Sequence, residues 1–293
     1  MNHIIISIIT FLIAFSFSYM GSLNGPFFWG YPTLIIVSII GFLIHWLVFI
    51  PSFLLKTEKL YDITGTIAYL AMIIIICLSM EEFTIRSQII ITLVGIWALR
   101  LGIFLFARVL DVGEDKRFKD VKKSPSRFLM WFTISGLWVF LTTFNAFISI
   151  LNNHKTISDA FFVFGLFIWL IGFLFEVIAD EQKRNFRKKN INQNKFILTG
   201  LWSLSRHPNY FGEILIWVGI SIMSIPTLSG WQFISFVSPV FVILLLTKVS
   251  GINLLEESAD KKWGNDKKYQ DYKNSTPILI PFLSFLLNKK TSN

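Results

Sequence analysis

The densest set of reactive side chains in the chain runs Gly200-Leu-Trp-Ser-Leu-Ser-Arg206-His207-Pro208-Asn209-Tyr210-Phe-Gly-Glu213. Together a guanidinium, an imidazole, an amide, a phenol and a carboxylate can bind phosphate, fix a carboxamide edge or share a proton. Pro208 ends any helix before it, and Asn209 is suited to cap the next one. Arg206, His207, Asn209, Tyr210 and Glu213 are therefore expected to converge at a helix mouth, a concentration that packing alone explains poorly. Further charges sit in or beside long apolar runs. Arg100, Glu176 and Glu213 each lie within one, where an ionisable group costs roughly 2.5–3.5 kcal/mol and marks a functional site by default. Arg100 is eight residues before Arg108, about 12 Å along a helix at 1.5 Å per residue. Glu176 and Asp180 share a face by their i, i+4 spacing. Acids beside an arginine, under a segment that carries Arg187 among several basic residues, imply a polar cavity. Its basic rim suits an anion bearing phosphates, and its apolar, aromatic floor suits a lipid. Arg187 has a plainer alternative, as one of the charges that orient a membrane protein.

Other chemistries lack their residues. No G-x-G-x-x-G follows a strand and no P-loop occurs, so a Rossmann or Walker site is not expected. The four histidines (3, 45, 154 and 207) have no metal-ligand spacing, and no metal site is expected. His45 on an apolar helix reads as a satisfied buried histidine. Cys77, the single cysteine, reads as a small hydrophobe, and no Ser-His-Asp order is present.

The elements that must position these groups are spanning helices. Of the 293 residues, 54% are apolar and 15% are charged, against about 25% charged in an average soluble domain. With a mean hydropathy of +0.61, this excludes a soluble globule, a disordered tail and a disulfide-stapled module. A hydrocarbon core of about 30 Å needs about 20 apolar residues per helix, and eight such runs occur: 4–20, 33–50, 63–80, 87–108, 128–150, 158–179, 211–225 and 231–249. The first lacks a basic leader and a small-residue cleavage site, so it reads as a helix rather than a removed signal peptide. If the eight alternate, 24 of the 27 basic residues fall on one side, in 51–62, 108–127, 180–210 and the tail from Lys248. The positive-inside rule then puts both termini in the cytoplasm. It also accounts for the net charge of +9, so nucleic acid is not an expected partner. The polar tail 250–276, with Leu254, Leu255, Trp263, Tyr269 and Tyr272, reads as a cytoplasmic helix-rich segment, followed by an interfacial end at 282–287. The expected fold is an all-α polytopic bundle of about eight spans, a single integral membrane domain over 1–293.

At Gly-Leu-Trp-x-x-Ser-Arg-His-Pro-Asn-Tyr-x-Gly-Glu the chain resembles the bacterial DUF1295 branch of the steroid 5α-reductase C-terminal domain superfamily. The resemblance runs from Tyr61-Asp62-Ile-Thr-Gly65 through Leu99-Arg100-Leu-Gly102, Gly113-Glu-Asp-Lys-Arg-Phe118, Phe175-Glu176 and Ala179-Asp180-x-Gln-Lys183. It continues through Ser250-Gly251 and Leu255-Glu256 to Tyr272, Thr276-Pro and Ile280-Pro281. It implies an NADPH-dependent membrane reductase that acts on a carbonyl-conjugated double bond of a lipid-like substrate, with 180–293 as its cofactor-binding part. By position, Asn209 and Glu213 match the Asn-x-x-Gly-Glu motif that holds the nicotinamide amide. Asp180 and Arg187 match an Asp-x6-Arg pair near ribose and phosphates, and Glu176 stands where the reductases have Asn. With Arg206, His207 and Tyr210 these form the expected cofactor site.

The pattern departs from the family at the substrate. Trp97 stands where the reductases have the Tyr of a Glu–Tyr pair, and no Glu is assignable near the second helix. Catalytic residues are therefore not fixed; Asp62, Tyr61, Glu58 and Arg100 are the candidates. The Arg-His-Pro-x-Tyr element, Glu256-Glu257 and the later Gly264…Tyr269…Tyr272 pattern also resemble isoprenylcysteine and phospholipid methyltransferases. An S-adenosylmethionine-dependent methyltransferase and a non-catalytic lipid-binding protein stay open as alternatives. The bilayer is the expected partner, and a bacterial inner membrane the expected location.

Overall fold

A computed structural model describes residues 2–23, 25–112, 118–152, 159–192 and 194–281. Sequence features that fall outside these residues are most of Gly113–Phe118, His154 and the apolar end 282–287. The described chain is almost wholly helical and includes eight helices long and apolar enough to cross a membrane. It is a polytopic all-α membrane protein, as its composition predicts.

Two compact units emerge, residues 1–162 with 223–238, and residues 163–222 with 239–293. In the first, α1 (His3–Gly21), α2 (Thr33–Leu54), α3 (Tyr61–Leu78), α4 (Ile85–Val112) and α5 (Pro125–Asn152) form a bundle. Asn2 starts α1 by accepting from the Ile4 N–H, and Pro125 occupies the first position of α5, where a missing N–H costs nothing. α5 is the most buried span and forms the core, with α1, α2, α3 and α4 packed around it. Phe128, Phe132, Phe140, Phe144 and Phe147 of α5 are fully buried. Two of its amides bond sideways: Asn145 donates to Ser235 at 2.8 Å, and Asn152 donates to Gln232 at 2.8 Å. Between α1 and α2 a two-residue hairpin, β1 (Phe27–Phe28) with β2 (Tyr31–Pro32), interrupts the helical pattern.

The second unit is built on α6 (Ala160–Lys188) and α7 (Pro208–Ser224). α6 turns Val163, Phe164, Phe167, Leu170 and Leu174 outward, and an outward face of large apolar side chains requires lipid as its solvent. The eighth span is irregular. A 3₁₀ stretch (Gly230–Phe236) leads into the short α8 (Val237–Leu244), and a π-turn (Leu245–Val249) ends it. The polar tail is helical as predicted, with α9 (Ile252–Trp263) and α10 (Lys267–Ser275), the latter capped by Asp266 accepting from the Lys268 N–H.

Candidate functional site

Four glycines set the geometry of the site. Gly165 and Gly172 on α6, and Gly212 and Gly219 on α7, each lie seven residues apart and so share a face. A Cβ at Gly172 would stand 2.7 Å from the Gly212 carbonyl oxygen, and one at Gly219 2.7 Å from that of Gly165. A Cβ at Gly212 would stand 2.5 Å from the Glu176 nitrogen. The two antiparallel backbones touch with nothing between them, the small-residue packing that membrane helices use. One and two turns beyond Gly172, this contact brings Glu176 and Asp180 beside the start of α7. Both are buried, at 3% and 6% exposure. The Asp180 carboxylate accepts a 3.2 Å hydrogen bond from the Asn209 amide.

Asn209 is therefore not the cap of α7. The helix begins at Pro208, with the His207 carbonyl accepting the first turn's Phe211 N–H at 3.1 Å. Ser205 makes a turn just before the helix, its hydroxyl accepting from the His207 N–H at 3.2 Å. The earlier start leaves the Asn209 side chain available to Asp180 and moves Glu213, half-buried, into the second turn.

Glu256 on α9 organises the mouth of α7. Its carboxylate accepts from Arg206 Nη1 at 2.5 Å and from His207 Nε2 at 2.8 Å. His207 stacks on Tyr210 with ring centroids 5.7 Å apart. Burial pulls the His207 pKa below its ordinary value, outweighing the Glu256 carboxylate, which favours the charged form. His207 is thus neutral at pH 7. The bond to a carboxylate assigns its proton to Nε2, leaving Nδ1 an acceptor that is buried without a partner among the described residues. The chain after α10 completes the mouth: the Arg206 N–H donates to the Pro277 carbonyl at 2.9 Å, and Ser205 Oγ to that of Leu279 at 2.8 Å.

Beneath this lies the Gly200–Ser203 turn, tied down by Trp202 Nε1 donating to Ala179 at 3.0 Å and by the Tyr272 hydroxyl donating to Trp202 at 2.6 Å. Burial raises the Tyr272 pKa, so the phenol keeps its proton for that bond. Arg187 is exposed in the last turn of α6.

The structure thus brings together Asp180 with Asn209, sets Glu176 against the backbone of Gly212, and joins Arg206 to His207 through Glu256. It sets the other candidates in the first unit. Glu58 is buried against Lys122 at 2.8 Å, and Asp62 pairs with Arg108 at 3.2 Å. The Tyr61 hydroxyl donates to the Trp131 carbonyl at 3.1 Å, its ring among Phe118 and Phe132. Arg100 lies over the Phe104 ring. Glu256 is the residue that the site assignment missed, although the Glu256-Glu257 pattern had marked its position. Among the described residues, no three His, Cys, Asp or Glu side chains are grouped to hold a metal ion.

Residues 48–276 match the family model of a protein of unknown function, DUF1295. The chain belongs to the DUF1295 family. It is 33% identical over 127 residues to 3-oxo-5-alpha-steroid 4-dehydrogenase 1 of Bos taurus, covering 43% of this chain and 44% of the relative. It is 33% identical over 141 residues to a very-long-chain enoyl-CoA reductase of Dictyostelium discoideum, covering 47% and 43%. A shorter likeness, 27% over 82 residues, joins it to a probable O-methyltransferase of Ustilaginoidea virens, covering 28% and 29%. The matched stretches span less than half of each relative's length. No solved structure matches the chain.

Proposed function

We propose that this membrane protein is an NADPH-dependent reductase acting on a carbon–carbon double bond conjugated to a carbonyl in a lipid-like substrate. The observation that carries this reading is the pair of relatives. A 3-oxo-steroid 4-dehydrogenase and an enoyl-CoA reductase differ in substrate and share the C=C bond next to a carbonyl. The residues of the α6–α7 contact fit the nicotinamide end of such a cofactor. Asn209 supplies amide donors and an acceptor, and Glu176, Asp180 and Glu213 supply acceptors for carboxamide and ribose hydrogens. The exposed guanidinium of Arg187 suits a phosphate, and Arg206 and His207, held by Glu256, form the adjoining wall. When bound, the cofactor supplies the hydride for the β-carbon. The protein orients it, excludes water and passes a proton to the α-carbon, so that one C=C is reduced as NADPH becomes NADP⁺. Glu58, Tyr61, Asp62 and Arg100 remain our candidates for catalytic residues. We place both termini in the cytoplasm on the distribution of basic residues, and the protein in a bacterial inner membrane on its resemblance to the bacterial DUF1295 branch.

The likeness to an O-methyltransferase favours a second reading, an S-adenosylmethionine-dependent methyltransferase; a lipid-binding protein without catalysis is the third. Thermal unfolding of the detergent-solubilised protein with NADPH, NADP⁺, NADH or S-adenosylmethionine separates them. A ligand at a thousand times its Kd stabilises by about 4 kcal/mol. Stabilisation by NADPH is expected; a shift with S-adenosylmethionine alone refutes the reductase, and no shift with any ligand favours the third.

A further inference from the structure

The first 55 residues contain no Lys, Arg, Asp or Glu. α1 and α2 are therefore two spans without a charge between them to fix their depth. Basic residues return only past the end of α2, at Lys56 and Lys59. At the opposite end stands the hairpin. Its turn is formed by Trp29 and Gly30, both in the left-handed region at φ 52° and 78°, a conformation that favours glycine and that Trp29 adopts at a cost. Behind it the Thr33 N–H and hydroxyl both donate to the Pro26 carbonyl at 3.0 Å. The result is a fastened loop that holds its aromatic rings outward: Phe27 is 66% exposed, Trp29 75% and Tyr31 68%. Phe28 stacks on Trp29 with centroids 4.5 Å apart.

We infer that residues 27–32 are an interfacial anchor that seats in the headgroup layer of the bilayer and sets the depth of α1 and α2. Three observations support this. With 19 residues, α1 is about 28 Å long, nearly the hydrocarbon thickness of about 30 Å, so the hairpin emerges at the boundary of that layer. Ile8, Leu12 and Tyr19 of α1 and Leu43 and Leu47 of α2 are exposed large apolar side chains like Leu23, Phe27 and Trp29, so the hairpin joins two spans that each present a lipid-facing surface. Finally, Ser22–Pro32 is uncharged and carries Trp29 and Tyr31, side chains whose polar edge and apolar body match the headgroup region.

The test uses the full chain with Cys77→Ser, reconstituted in phosphatidylcholine–phosphatidylglycerol vesicles. Spin labels are placed at Tyr31→Cys, at Ile8→Cys as the hydrocarbon reference and at Lys268→Cys as the water reference. Accessibility to oxygen relative to a nickel chelate should put the Tyr31 label between the two references. A value equal to that of Lys268 means that the hairpin stands in water. Protection from both reagents means that protein covers it, a second copy included. Either outcome overturns the inference. A second measurement removes the anchor: with Phe27→Ala, Trp29→Ala and Tyr31→Ala together, a label at Ile39→Cys should shift in depth by about one helical turn, roughly 5 Å. An unchanged depth at Ile39 likewise overturns it.

Discussion

Replacing Gly212 by alanine tests whether backbone contact holds the site. The added methyl would stand 2.5 Å from the Glu176 nitrogen and 2.5 Å from the Gly172 carbonyl oxygen, against 3.4 Å at the lower edge of ordinary contact. The shortfall is about 0.9 Å, on atoms of a helical backbone that have no rotamer to yield, so α6 and α7 must part. Parting by that amount stretches the 3.2 Å bond between Asn209 and Asp180 to about 4 Å, beyond hydrogen-bonding range. Overpacking of this kind costs about 1–3 kcal/mol, and the stabilisation conferred by NADPH should fall as well. Gly219→Ala meets a similar obstruction at 2.7 Å, two turns further from Asn209, and should lose stability with a smaller loss of nucleotide response. Gly95→Ala on α4 meets nothing within 4 Å and should gain up to about 1 kcal/mol of helix propensity. Thermal unfolding of the three variants, with and without NADPH, gives all of these quantities. A Gly212→Ala protein as stable and as responsive as the parent would refute the proposed contact.

Two other outcomes concern the mouth of α7 and the end of α6. Because burial lowers the His207 pKa from an unfolded value near 6.5, the unfolded chain binds the extra proton first. The stability that His207 contributes is complete above about pH 6.5 and is lost as pH falls below it; the unfolding midpoint of the parent should therefore drop more steeply than that of His207→Gln between about pH 7 and 5.5, and equal slopes would count against a neutral buried imidazole. Arg187→Gln should weaken nucleotide binding roughly tenfold, about 1.4 kcal/mol, in a titration where Lys261→Gln, exposed on α9 and bonded to Glu257, serves as the control; equal losses would reduce Arg187 to one charge in a diffuse field.

The spans were legible because a bilayer demands about 20 apolar residues in a row, and few other constraints write so long a signal. Arg206, His207, Asn209 and Glu213 were legible because polar groups crowd a short stretch beside an apolar run. Glu256 was harder, since the carboxylate that joins Arg206 to His207 lies 50 and 49 residues further on. The carbonyls of Pro277 and Leu279 left no side-chain signal at all. The start of α7 was misplaced by an ambiguity of local chemistry: Asn209 is a good cap, and Pro208 is an equally good first residue. Two-residue strands fall below any periodicity, so the hairpin had no pattern to betray it.

The glycine pairs also act as a vernier. In the observed alignment Gly165 faces Gly219 and Gly172 faces Gly212, so each pair of residue numbers has the same sum. Sliding α7 by one heptad in either direction keeps a single glycine pair, Gly172 with Gly219 or Gly165 with Gly212. Close backbone approach then survives at one point in place of two. A slip of one residue destroys both pairs. Two apolar helices in a bilayer have little hydrophobic reason to prefer one alignment over another; these four positions supply a preference by exclusion. The correct register can thus be selected during assembly before any ligand is bound, and Asp180 meets Asn209 as a result of that selection.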